Sequence, residues 1–160
     1  MMALHATARE SNIIDSIKKY LSDNLETTES IALTFDVALS SPKIQGRAVD
    51  RWVSCDMGVI NLDSWSEANF ELFLCTRRDN EGFRLAQLRD TVMGYLTNSG
   101  SPGDGKISIP FYQSSSAPSA NWTLLGGLLI TDVIESRRMK APDETKYKIL
   151  TVRLRFGAKV

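Results

Sequence analysis

Residues 75–96, CTRRDNEGFRLAQLRDTVMGYL, change their hydrophobic period part-way along. Just upstream, in EANFELFLCTR (67–77), Phe70, Leu72 and Leu74 alternate with Glu71, Phe73 and Cys75, the two-residue repeat of a strand. Downstream, Leu85, Leu88, Val92, Tyr95 and Leu96 recur at three- and four-residue intervals, which predicts an amphipathic helix over about 80–98. Between the two lie Arg77, Arg78, Asp79, Asn80, Glu81, Gly82 and Arg84, with Arg89 and Asp90 one to two turns on. Asp79 is the natural N-cap, and Glu81 suits the positive end of the helix dipole. A strand running straight into a helix through so charged a corner poses the functional question. An active site, a phosphate cradle, a nucleic-acid contact and a subunit junction could each use these residues.

Working outward, Thr7 and Glu10 are spaced as a capping box, and Ile13, Ile14, Ile17, Tyr20, Leu21 and Leu25 follow at helical intervals, predicting a first helix over about 8–26. SIALTFDVAL (30–39) alternates cleanly, as a strand with one well-buried face through Ile31, Leu33, Phe35, Val37 and Leu39. Residues 51–60 form another strand candidate. KISIPFY (106–112) is a short strand that Pro110 confines to an edge or a bulge. NWTLLGGLLITDVIES (121–136) is apolar on both sides, the pattern of a central strand, with Gly126-Gly127 marking a bulge or bend. YKILTVRLRF (147–156) alternates again, with Leu150, Val152, Leu154 and Phe156 inward and Thr151, Arg153 and Arg155 outward. The expected fold is α/β (α+β): a single domain over 1–160 with a mostly antiparallel or mixed sheet of about five or six strands flanked by two main helices. Polar, small-residue stretches at 40–48, 98–105 and 113–121 read as mobile loops.

Composition narrows the function. Nineteen basic residues balance nineteen acidic ones, without the basic excess a dedicated nucleic-acid binder uses to displace counterions. The first residues carry no apolar core of a signal peptide, and the longest apolar run, 124–130, is far short of the ~20 residues a membrane span needs. No membrane partner is expected. Cys55 and Cys75 sit in strand-like runs and read as small buried hydrophobes. Gly100 to Lys106 match the start of a phosphate loop, but Ile107 stands where a magnesium-binding Ser or Thr belongs, and the segment follows a helix instead of opening one. His5 is the only histidine, so no His-based triad or zinc set forms with Cys55 and Cys75. Asp56, Glu71 and Asp132 could share neighbouring strands as paired carboxylates, though a sheet face opposite Arg153 and Arg155 or facing solvent accounts for them better. No catalytic, cofactor-binding or metal-binding residue is expected, and the protein reads as a non-enzyme.

Arginine and tryptophan are the better signal. Trp52, Trp65 and Trp122 each stand at a strand boundary or turn, where they either serve an interface or cap the protein's own core. Arg77-Arg78 and Arg137-Arg138 have Asp79, Glu81 and Glu135 close by in sequence, a mixture that suits a protein surface of both signs better than a polyanion. The subunit-interface candidates are therefore Arg77, Arg78, Asp79, Glu81, Arg84, Arg137, Arg138, Trp52, Trp65 and Trp122.

The succession CTRRD, EGFRLAQLRD, ISIPFY, NWTLLGGLLI and KILTVRLRF, taken over about 10–158, resembles the tail terminator proteins of long-tailed (siphovirus-type) phages. The resemblance rests on overall pattern, with no catalytic motif. It implies an α/β domain that forms a homohexameric ring in the virion, made in the host cytoplasm and placed at the head–tail junction. Its implied partners are itself, the tail tube protein and a head-completion or neck protein, with DNA at most passing through the lumen. On this expectation Arg77, Arg78 and Arg84 meet acids of a neighbouring subunit. Two other readings stay open: another head–tail joining or tail-completion ring protein, and a small cytosolic enzyme.

Overall fold

The computed structural model describes residues 10–36, 43–44, 47–61, 65–97 and 107–157. Thr7, His5 and the phosphate-loop-like stretch before Ile107 lie outside the described residues. Helix α1 (Glu10–Leu21) buries Ile13, Ile17 and Leu21 at the predicted spacing. It continues as a π-helical stretch, Ser22–Thr28, that keeps Leu25 in the core. Thr28 Oγ1 donates to the Asp23 carbonyl five residues back at 2.9 Å, a reach that matches the wider π turn.

Strand β1 (Ala32–Phe35) follows, and Asp36, at φ 53°, ends it. Its four residues are all half-buried: of the face expected over 30–39, Ile31 is buried and Leu33 and Phe35 pack part-buried against the core, while Val37 and Leu39 lie outside the described residues. Residues 37–42 lie outside the described part. The polar stretch expected to be a loop contains a small antiparallel hairpin, β2 (Lys43–Ile44) with β3 (Arg47–Ala48). The long strands β4 (Arg51–Asn61) and β5 (Trp65–Thr76) come next, then α2 (Phe83–Leu96), β6 (Ser108–Gln113), β7 (Thr123–Glu135), the short β8 (Met139–Lys140) and β9 (Lys146–Gly157).

The sheet runs β1-β4-β5-β9-β7-β6, with β8 added beside β9. Among the described strands only the β1–β4 pair is parallel; the other pairings are antiparallel. The mixed sheet and two main helices match the expected α/β class, and both helices pack on the same face. There Ile13, Ile17, Leu85, Leu88, Val92 and Leu96 meet Val53, Phe70, Leu72, Leu74, Leu150, Val152 and Leu154 in one apolar cluster. Burial of that cluster, at about 25 cal/mol per Å² of apolar surface, is the main force holding the layers together.

The helices are tied to each other and to the sheet's edges. Tyr20 Oη donates to the Tyr95 carbonyl at 2.5 Å, and Tyr95 Oη donates to Glu29 Oε1 at 2.6 Å. Strand β6 is the edge strand that Pro110 required, with a bulge between Phe111 and Tyr112. Helix α1 covers this edge: Ser16 Oγ accepts the Tyr112 amide at 2.8 Å and Asn12 Oδ1 accepts the Ser114 amide at 3.2 Å. A would-be sticky edge is thereby satisfied within the chain.

Strand β7 differs from expectation. It lies inside the sheet, between β6 and β9, but helices cover only one of its faces. Leu128 and Ile130 are buried, while Leu129 and Ile134 remain 45% and 44% exposed on the other face. The bulge expected at Gly126-Gly127 falls beside them, at Leu125, and a second interrupts β7 between Ile130 and Asp132.

Candidate functional site

The charged corner between β5 and α2 is largely consumed in building the subunit. The helix begins at Phe83, later than expected, so that Gly82, at φ 75°, stands at the N-cap position and Asp79, the expected N-cap, lies three residues before it. Asp79 nevertheless does the capping. Its carboxylate accepts the amides of Arg84 (3.2 Å) and Leu85 (2.9 Å) and the Thr76 hydroxyl (3.1 Å). Burial works against that negative charge, but the Leu85 and Arg84 amides, the Thr76 hydroxyl and the nearby Lys146 ammonium outweigh it and hold the carboxyl below its ordinary range. Lys146 Nζ also donates to the Asp79 carbonyl.

Arg84 Nη1 reaches the Arg77 carbonyl at 3.5 Å, and Arg138 Nη1 donates to the Glu81 carbonyl at 3.1 Å. Arg89 grips Glu135 with two bonds, Nε to Oε1 at 2.9 Å and Nη2 to Oε2 at 3.0 Å, and Lys148 closes on the same carboxylate. The Arg89 hydrogen bond leads in lowering Glu135 to about 2; Lys148 adds to it against the opposing effect of burial. Arg89 and Glu135 are the pair that sequence reading missed, separated by 46 positions and joined only when α2 crosses the end of β7.

This corrects the expectation that Asp79 and Arg84 are free for a neighbour. Asp79 is buried, and Arg84 is half-buried against its own chain. Arg78 and Arg137 remain exposed without an ion-pair partner among the described residues. Arg78 is held at φ 54°, a left-handed conformation unusual for a residue with a side chain. Arg77, half-buried, and Arg78 line a shallow concavity of about 470 Å³ with Asp143 and Lys140.

The tryptophans sort differently. Trp52 is 0% exposed, on the face away from the helices, where its cross-strand neighbour is Cys75. It alternates with Val53 inside a strand and so cannot present its ring to a partner. Trp122 is half-buried; its Nε1 donates to the carbonyls of Ser115 (3.2 Å) and Ala117 (3.1 Å), and its ring tilts against Tyr112 with centroids 6.5 Å apart. It organises its own 113–121 segment. Trp65 opens β5, and its side chain lies outside the described residues.

The face of the sheet turned away from the helices is the other candidate surface. Cross-strand register places Asp56 opposite Glu71, Glu67 opposite Arg155, Arg155 opposite Leu129, and Arg153 opposite Asp132. Arg155 Nη2 pairs with Glu67 Oε1 at 2.9 Å. Between the β4 bulge (Met57–Ile60) and the β7 bulge the face dips into a concavity of about 600 Å³, bordered by Val59, Glu67, Asp132, Arg153 and Arg155. The three carboxylates singled out in the sequence thus lie on one sheet face, but separated: Asp56 beside Glu71, Asp132 beside Arg153. No group of three or more His, Cys, Asp or Glu among the described residues is arranged to hold a metal ion. No helix among them is long and apolar enough to cross a membrane.

No protein-family model matches the chain, and no curated protein matches it. Among solved structures six chains match. One of them, whose name is a bare identifier that says nothing of function, superposes with a TM-score of 0.57 over 96% of this chain and 97% of its own, at 8% identity. At that identity the likeness shows a shared fold and nothing more.

Proposed function

We propose that the protein is a structural ring subunit of the phage tail, a tail terminator that caps the tail tube, stops its growth and offers a docking surface to the head or neck. The observation that carries this reading is the part of the sheet face away from the helices that stays uncovered, along β7 and the β4 bulge, beyond the stretch where Trp52 and Cys75 are buried. Leu129 and Ile134 of β7 and Val59 of the β4 bulge stand exposed there amid charges of both signs. Such a face suits contact with another folded protein. The strongly shifted groups belong to the fold itself. Glu135 is driven to about 2 and the two cysteines to about 12, away from the neutral range in which acid–base catalysts work. Their perturbations come from ion pairing and burial that build the fold.

The reading is tested by growing tail tubes from purified tube protein with and without this chain. Tubes that stop at shorter length, with labelled protein at one end only, support it. Unchanged tube lengths with no label at either end overturn it. Label found on head–neck assemblies alone moves the protein to the joining side of the junction.

A further inference from the structure

We infer that the ring, on the reading just given, closes head to tail: the α2 corner of one copy docks on the open sheet face of the next. The two surfaces are chemically matched, and each carries charges without an ion-pair partner among the described residues, although Arg155 of the sheet face pairs with Glu67. On the corner, Phe83 is 65% exposed at the first position of α2, five residues after Arg78, an exposed cation without an ion-pair partner among the described residues. On the sheet face, Asp56 and Glu71 are directly opposed across β4 and β5, like charges that destabilise a sheet unless a cation comes between them. Neither has an ion-pair partner among the described residues. Next to them the concavity between the two bulges is bordered by Arg153 and Arg155, whose planar guanidinium groups accept an aromatic ring face. A second copy supplies both missing pieces, with Phe83 for the concavity and Arg78 for the acid pair.

The surfaces cannot meet within one chain. Glu71 lies five residues back along β5 from Thr76, about 17 Å at the ~3.4 Å rise of an antiparallel strand, and points to the face opposite α2. Two different surfaces on opposite faces of one sheet make a heterologous contact, the kind that closes into a ring when the rotation fits. The left-handed backbone at Arg78 is consistent with a side chain held out for a partner.

Two variants test the inference. One spoils the corner (Arg78→Glu with Phe83→Asp), the other the sheet face (Asp56→Arg with Ile134→Asp). Each substituted side chain except Arg78 and Asp56 is an exposed apolar group, and those two are exposed charges, so the fold is kept; circular dichroism and unfolding midpoints check this. By sedimentation and native mass, wild type forms rings at a concentration where each variant alone is monomeric. An equimolar mixture then yields a 1:1 heterodimer and nothing larger, since each copy retains one good surface. The charge swap Arg78→Glu with Asp56→Arg in a single chain recovers association that either change alone removes. Rings from either variant alone place the junction elsewhere and overturn the inference, while leaving the tail-terminator reading intact. Wild type that stays monomeric, with no heterodimer in the mixture, also overturns it, and the tube-capping assay then judges the terminator reading separately.

Discussion

Arg89 of α2 holds Glu135 of β7 with two parallel bonds of 2.9 and 3.0 Å, and this pair, with Lys148 of β9 on the same carboxylate, clamps the helix to the sheet. Bidentate geometry and partial burial give the pair more value than an ordinary surface bridge. Glu135→Gln is expected to lower the unfolding free energy at pH 7 by about 1–3 kcal/mol, because Arg89 and Lys148 lose their shared counter-charge. The pH dependence has a definite sign. Glu135 is depressed from 4.5 to about 2 in the folded chain, so its contribution is fully present above about 4.5 and is lost as pH falls toward 2. Denaturant melts at pH 7, 4 and 2.5 should show the wild-type advantage over the variant shrinking across that window. A constant gap would mean that packing, not charge, carries the effect.

Asp79 provides a second test, at the start of α2. Removing its acceptors by Asp79→Ala leaves the Arg84 and Leu85 amides without partners and should cost about 1–2 kcal/mol. Asp79→Asn keeps one acceptor oxygen and should cost less. Amide exchange at Arg84 and Leu85 should speed up in the alanine variant well before the helix interior does. Equal exchange in both variants would show that the cap adds little.

Gly82 is required for two separable reasons. Its φ of 75° disfavours any residue with a Cβ, and a Cβ there would overlap the Arg138 guanidinium that bonds the Glu81 carbonyl. Gly82→Ala should destabilise by about 1 kcal/mol or more from the backbone alone. Adding Arg138→Ala should recover only the part due to overlap. Thermal melts of the two single variants and the double variant separate the terms, and full recovery would assign the whole cost to the clash.

The elements that sequence revealed are those whose signal is periodic and local. The switch from Phe70-Leu72-Leu74 to Leu85-Leu88-Val92 located β5 and α2, and Pro110 correctly marked an edge strand. What stayed hidden depends on pairing at long range. The apolar run 124–130 reads as covered on both faces, yet coverage is decided by where α1 and α2 pack, and both chose one side. Trp52 and Trp65 looked alike as boundary residues, but Trp52 belongs to a strand flanked on both sides, by β1 and β5. The corner's arginines were legible as a cluster. Their partners were not, because Glu135 reaches Arg89, and Arg138 the Glu81 carbonyl, only after the β7 end and the segment that follows it have folded back over α2.

Cys55 and Cys75 provide a final check on the sheet's two faces. Cys55 belongs to the helix-side cluster, opposite Leu72; Cys75 faces the other way, between Trp52 and Tyr147, with its thiol 3.6 Å from the Phe73 carbonyl. Lying on opposite sides of one sheet, they cannot bridge without tearing it. Burial pushes both thiols up to about 12. Since the thiolate is the reactive form, neither should react with a thiol reagent at pH 8 in the native chain, and both should react in denaturant. The same shift makes a stability statement. A folded value above the ordinary 9.0 contributes fully below about 9 and is lost as pH rises toward 12, so the chain should weaken in alkali over that range. Rapid native reaction at Cys75 alone would reveal that its side of the sheet opens on the timescale of labelling, whereas reaction at Cys55 would require the helix layer itself to part from the sheet.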